Sequence, residues 1–290
     1  MHRPEVLAAL AADLAEVAPD HVAITGDLTN IALPGEFEAA ARWLESLGGE
    51  DWISVVPGNH DAYVRVPWDR GLGCWAGYMS GDETDPPSGP EAFPYLRRRG
   101  DVALVGLSTA VPTAPFLASG SLGRRQLAAL GDHLETLGRQ GLCRIVLLHH
   151  PPEQPGISPR KALTDAKAFR RVVAEFGAEL VLHGHDHTYA AGRLPAGRGE
   201  ALVVGVPSAS AARRVGRRPE ARYHLYAIAP TGNGWQVTIG SRGYDAASGR
   251  FRAVSLEGAP NVDDELAERS VHPVAGQSIA VGEAVRDRSG

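Results

Sequence analysis

Oxygen- and nitrogen-bearing side chains gather at four places in this 290-residue chain: Asp27 with Asn30, Asn59-His60-Asp61, His149-His150, and His185-Asp186-His187. All are types that hold divalent cations or move protons, and none is a sulfur ligand, so the set suits Mn, Fe, Zn, Co or Ni without choosing among them. An Asp placed just after Gly26 can offer one oxygen to each of two cations, although Gly-Asp is also a common turn dipeptide. Asn59 can ligate through its amide oxygen without adding charge, His60 can donate a proton, and Asp61 is placed to orient that imidazole. Pro151-Pro152 stop any strand and fix where His149 and His150 project, and one of the two is expected to ligate metal. His185 and His187, two residues apart behind Gly184, can face neighbouring cations.

Each cluster follows a short apolar run: Val22-Ala23-Ile24, Ile53-Ser54-Val55-Val56, Ile145-Val146-Leu147-Leu148 and Leu180-Val181-Leu182. These read as buried strands. Between them lie helical patterns at 4–18, 34–48, about 122–139 and about 164–176, the first two opened by Pro4 and Pro34. A further strand is expected at 102–107. This alternation predicts an α/β fold with a largely parallel sheet, whose strand carboxyl ends form the crevice where distant segments can meet. Two cations about 3.5–4 Å apart in that crevice would clamp a phosphoryl group and lower the pKa of bound water toward about 7.

After residue 188 strands at 200–206, 223–229 and 235–240 follow one another without helices, as antiparallel pairs that either extend the first sheet or build a second one. The Gly/Pro/Asp-rich stretch 63–95, with Trp68, Trp75 and Tyr78, reads as a long loop, either a lid over the site or an irregular packed insertion. From 258 to 290 the sequence is polar and aperiodic and reads as a loosely ordered tail beyond a 1–257 domain.

Taken together, Gly-Asp-Leu-Thr-Asn at 26–30, Gly-Asn-His-Asp at 58–61, His149-His150-Pro151 and Gly-His-Asp-His at 184–187 resemble the calcineurin-like metallophosphoesterase superfamily, in order and spacing over residues 4–240. The wording is closest to its bacterial cyclic-nucleotide phosphodiesterase-like branch. The resemblance implies a layered α/β/β/α sandwich of two mixed sheets and a dinuclear centre that hydrolyses phosphomonoesters or phosphodiesters by attack of metal-bound hydroxide. It implies that Asp27 bridges the metals, that Asn59, His149 and His185 complete one site, that His187 serves the other, and that His60 stabilises the transition state or protonates the leaving oxygen. Members begin with a strand carrying Asp-x-His, and nothing before Gly26 matches it. The expectation is a sandwich lacking its first strand because the coding start omits an upstream segment, with the first metal site short of ligands and the second nearly whole.

Other readings are a truncated, weakly active or inactive member that binds one metal, a cyclic-nucleotide phosphodiesterase specifically, and, well behind, an amidohydrolase, which leaves Asn59-His60-Asp61 unexplained. With 29 basic and 34 acidic residues the net charge is -5, which offers no field for a nucleic-acid duplex or an anionic membrane. Arg97-Arg98-Arg99 and the arginines of 213–218 read as solvated surface charge. The two cysteines, Cys74 and Cys143, imply no disulfide framework, and no stretch has a signal's apolar core or spans a bilayer. A small phosphate ester as partner and a cytoplasmic location are expected.

Overall fold

In the computed structural model, described for residues 3–114, 116–153, 157–256 and 277–282, two six-stranded sheets are stacked and flanked by helices. Strands β1 (His21–Ile24), β2 (Ile53–Val55), β9 (Arg222–Thr231), β10 (Gly234–Asp245), β11 (Arg250–Val254) and β12 (Gln277–Gly282) make the first sheet, in the order β11-β10-β9-β12-β1-β2. The second contains β3 (Tyr95–Arg99), β4 (Val102–Gly106), β5 (Cys143–Leu147), β6 (Leu180–His183), β7 (Ala190–Ala196) and β8 (Gly199–Gly205), in the order β3-β4-β5-β6-β8-β7. Both are mixed. The strands after residue 188 therefore divide: the β7–β8 hairpin extends one sheet, and β9 to β11 build out the other.

The core follows from the period of two along a strand. Leu104, Ile145, Leu147, Leu180 and Leu182 join the cluster that fills the space shared with the first sheet. Their neighbours Ala103, Val105, Val146 and Val181 turn the other way, onto helices α3 (Gly123–Arg139) and α4 (Ala166–Phe176). Burial on both faces explains why Ile145-Val146-Leu147 and Leu180-Val181-Leu182 are continuous apolar runs. Helices α1 (Pro4–Val17) and α2 (Pro34–Leu47) pack with the first sheet through Leu7, Leu10, Leu14, Phe37 and Leu44. Each starts with proline at a position whose N–H would have no intrahelical partner. The Glu36 carboxylate accepts from the Leu33 N–H at 3.0 Å and seals the entry of α2.

Two expectations need correction. Gln277–Gly282 is not a loose tail: β12 runs parallel to β1 and antiparallel to β9, with Ile279, Ala280 and Val281 buried, so a segment more than 250 residues downstream fills the place beside β1. A run of three apolar residues is too short to announce this. The rest of the 258–290 segment lies outside the described residues, apart from those six.

Of the two readings of the 63–95 stretch, the structure shows the packed insertion and not the lid. Its 3₁₀ turns bury Trp75, Tyr78 and Met79, Trp75 stacks on Phe37 of α2 at 5.1 Å, and the Tyr78 hydroxyl donates to the Gly48 carbonyl. Arg97, only 2% exposed, donates to the carbonyls of Gly77, Ser80, Glu50 and Ile53. The insertion is thus fastened near the start of β2, at the opposite end from Asn59. Arg97 is accordingly a buried tie and not solvated surface charge, which the sequence hid because the alternation of β3 passed unnoticed.

Candidate metal centre

β1 and β2 run parallel, as do β5 and β6, and the polypeptide leaves the carboxyl ends of all four in tight turns that carry the four motifs. The turns after β1 and β2 each need a glycine. Gly26 has φ +105°, and a Cβ there would lie 2.6 Å from the Gly58 nitrogen and 2.8 Å from Nδ1 of His149; a Cβ on Gly58 would lie 2.1 Å from Oδ1 of Asp27. The motifs are therefore packed backbone to side chain with no room for any larger residue. Asp27, His185 and His187 themselves adopt left-handed conformations, φ 58°, 76° and 58°. Non-glycine residues hold such φ values at a cost of order 1–3 kcal/mol each, which is characteristic of functional sites.

Asp27, Asn59, His149 and His185 come together from four strand ends, all buried. Nε2 of His149 lies 3.0 Å from Oδ1 of Asn59, 3.2 Å from Nδ1 of His185 and 3.5 Å from Oδ2 of Asp27, while His185 Nδ1 is 2.8 Å from Asn59 Oδ1. Ligands sharing one cation at about 2.0–2.2 Å stand about 3.0–3.4 Å from each other, so these separations match a common ion. The proton arithmetic agrees. The Thr25 carbonyl, 2.7 Å from His149 Nδ1, can only accept, so Nδ1 carries the proton and Nε2 of the neutral ring is a lone pair. That lone pair faces an amide oxygen and a carboxylate oxygen, and one proton on His185 Nδ1 relieves only part of the repulsion. A cation relieves all of it.

His150 lies in the same knot, its ring 4.6 Å from that of His185, and one ligand atom each from His149, His150 and His185 lie within 4.8 Å of one another. Its bonds nonetheless exclude it as a ligand. Nε2 donates to the Ala118 carbonyl at 3.0 Å, which leaves Nδ1 to accept from the Thr109 hydroxyl at 2.7 Å, and no lone pair remains. His150 is a wall of the site, and of the two adjacent histidines His149 is the one aimed inward.

Electrostatics keep the cluster in its ligating form. Burial lowers His185, with His149 and His150 adding to the effect, and burial followed by the Arg218 guanidinium brings His187 down to about 4. Burial pushes the Asp27 carboxyl upward, but His149, His60 and the His60 backbone N–H outweigh it and hold Asp27 below its ordinary value. A neutral His185 and His187 beside an ionised Asp27 are what a cation requires.

His60 and Asp61 part company. His60 is half-buried beside Tyr63, its backbone N–H donates to Asp27 Oδ1 at 3.0 Å, and Nδ1 donates to the Asn30 carbonyl at 2.6 Å. The sequence reading missed that carbonyl, because a backbone acceptor leaves no trace in residue type. Asp61 does not orient the imidazole of His60. Its carboxylate accepts from the backbone N–H groups of Asp27 (2.9 Å), Gly58 (2.9 Å) and Thr29 (2.8 Å) and from the Thr29 hydroxyl (3.0 Å). The turn at 60–62 carries the side chain beneath the site, where it fastens the first two motifs together.

Comparison with known proteins bears on the family of the chain. The family model described as calcineurin-like phosphoesterase matches residues 1–189. A protein of Synechococcus sp. named as a probable cyclic nucleotide phosphodiesterase is 27% identical over 204 residues, 69% of each chain. Among solved structures, a dimetal phosphatase from Danio rerio superposes with a TM-score of 0.52 at 11% identity, covering 82% of both chains, a likeness of fold.

Proposed function

The chain belongs to the calcineurin-like phosphoesterase family and is a metal-dependent phosphoesterase, and we propose that it cleaves phosphodiesters and phosphomonoesters at the strand-end cluster. Asp27, Asn59, His149 and His185 would hold one cation, and Asp27 with His187 a second. Bound divalent metals supply Lewis acidity toward a phosphoryl oxygen and a lowered pKa for a coordinated water. The chain's own residues do the rest. Asp27 would serve both positions; its Oδ1 accepts from the His60 N–H and its Oδ2 faces His149. His60, its ring direction fixed through Nδ1 by the Asn30 carbonyl, presents Nε2, which in the imidazolium form carries the proton that goes to the leaving oxygen. Gly58 and Gly26 let the backbone approach closely enough for these groups to converge.

One observation carries the reading: side chains from four separate strand ends place lone pairs 2.8–3.5 Å apart with too few protons to share. The test is to strip the chain with a chelator, reload it with Mn²⁺ or Zn²⁺, and follow bis(4-nitrophenyl) phosphate and 4-nitrophenyl phosphate alongside elemental analysis. Hydrolysis that returns with metal, and that disappears together with tight metal binding in Asp27→Ala, is expected. Turnover indifferent to chelation, or unchanged metal content in Asp27→Ala, refutes it. Two equivalents of metal per chain support the dinuclear form; one equivalent without turnover supports the weak, one-metal reading.

Cyclic nucleotides are the narrower substrate class, favoured by the likeness to the Synechococcus protein over 69% of the chain. Hydrolysis of 3′,5′-cyclic AMP at a kcat/KM above that of the aryl diester would establish it.

A further inference from the structure

The backbone of His60 is held on both sides. Its N–H donates to Oδ1 of Asp27 at 3.0 Å, and its carbonyl accepts from the Thr29 hydroxyl at 3.0 Å. The side chain is held less completely. The bond from Nδ1 to the Asn30 carbonyl, 2.6 Å, sets the edge that the ring presents to that carbonyl. An imidazole turns about two side-chain bonds, however, the second with no sharp preference of its own, and one hydrogen bond cannot set both. A second contact is needed to fix where Nε2 stands.

Tyr63 makes that contact. The 3₁₀ turn His60–Ala62, closed by the Ala62 N–H on the Asn59 carbonyl at 3.2 Å, continues into Tyr63 at φ -58° and ψ -38°. In such a turn side chains three residues apart lie over one another. The Tyr63 ring accordingly stands 5.0 Å from the His60 ring, centre to centre and tilted by 59°, which is direct aromatic contact. Tyr63 is itself half-buried and packed against the hydrophobic core, so the contact has a rigid backing. A side chain that rests on the core and touches the imidazole supplies the restraint that the hydrogen bond leaves open.

We propose that Tyr63 is the positioning residue of His60: its ring braces the imidazole so that Nε2 stands toward the leaving oxygen, and the esters that depend on it are those whose leaving group needs a proton. The inference rests on the phosphoesterase reading, with His60 as its acid, and deepens it. The role is carried by the ring of Tyr63 and not by its hydroxyl, and it passes through His60.

The test measures kcat and KM of the metal-loaded full chain on diphenyl phosphate, whose phenolate leaves poorly without a proton, and on bis(4-nitrophenyl) phosphate, whose nitrophenolate leaves more readily without one. Tyr63→Ala is expected to keep its metal and its KM and to lose about tenfold or more in kcat on the phenyl ester, with a loss on the nitrophenyl ester smaller by about threefold or more, as for a misplaced proton-transfer group. Tyr63→Phe restores both rates. In a His60→Ala background Tyr63→Ala costs nothing further, because residues acting as a unit are not additive. Equal losses on the two esters, or a further loss in the His60→Ala background, overturn the proposal while the phosphoesterase reading stands. If the wild-type chain turns over neither ester, the hydrolytic reading falls, and the brace is decided by nitrogen-15 histidine spectra. The His60 Nδ1–H signal is then expected to be sharp in the wild type and in Tyr63→Phe and broadened by exchange in Tyr63→Ala; an unchanged signal in Tyr63→Ala overturns the brace.

Discussion

Replacing Asp61 by Asn preserves the shape of a buried side chain and removes its charge, and the structure fixes what that does. Both carboxylate oxygens face only donors: Oδ2 takes the N–H groups of Asp27 and Gly58, and Oδ1 takes the N–H and hydroxyl of Thr29. An amide has one oxygen, so whichever way it turns, its NH₂ group presses against a pair of donors. Two bonds to a charged acceptor are lost, at about 1.5–3 kcal/mol each. Relief from burying the charge works in the opposite direction. Burial, with Asp27 beside it, raises the Asp61 pKa to about 6, some two units above its ordinary value, so the ionised form is disfavoured in the fold by about 3 kcal/mol at neutral pH. The difference leaves Asp61→Asn less stable by up to about 3 kcal/mol, a fall in Tm of up to about 10 °C for a chain of this size. Because the lost bonds include the Asp27 N–H, metal affinity should fall with it. The assay is thermal unfolding of the chelator-treated protein followed by metal titration. If Asp61 acted on the imidazole of His60 instead, the variant would keep the wild-type Tm within about 1 °C and its metal content, and only turnover would change; that outcome would refute the role of Asp61 as a fastener of the two turns.

His60→Ala should retain its metal and lose turnover by about 10²- to 10⁴-fold, the range for a missing general acid; elemental analysis showing lost metal would instead make His60 part of the metal's support. Gly26→Ala should lose tight metal binding, because its Cβ would intrude on the Gly58 nitrogen and on His149 Nδ1 at a φ of +105°; wild-type metal content in that variant would contradict the packing argument. Stability should fall in acid before the ordinary carboxylates titrate, Asp61 at about 6 being the exception. Burial holds His21 and His224 at about 3, aided by Arg99 and Arg97 for the first and Arg222 for the second. Below pH about 6.5 the unfolded chain takes up these protons and the fold does not, so each group costs the fold about 1.4 kcal/mol per pH unit between about 6.5 and 3 and nothing above. Urea unfolding at pH 7 and pH 5 should show the loss, and His224→Phe should recover about 2 kcal/mol of it; an identical loss in the variant would remove His224 as a cause.

What could be read in the sequence was whatever is local. An apolar run of four followed by Gly and a ligating side chain states both a buried strand and the edge where it ends, so the four motifs and the elements beneath them were visible from residue type alone. The supports of the site were not, because their partners lie far along the chain or in the backbone. The apolar run of β12 is legible as apolar, but its place is set by the N–H and C=O groups that β1 and β9 leave unpaired, and nothing at 277–282 names those strands. The fate of the aromatic insertion depended on Arg97, whose charge predicted solvent while its alternation within β3 sent it inward to four carbonyls. Asp61 sits one residue from a candidate acid, yet a single 3₁₀ turn at 60–62 directs the two side chains to different sides. For Arg97 and Asp61 the charge was legible and the direction was not, whereas the apolar run of β12 was itself passed over as polar tail. Direction is the property that turns a list of ligating residues into a site: the lone pairs of Asn59, His149 and His185 converge only because Asp61, Thr25 and two glycines, none of them needed as a ligand, hold the turns in place.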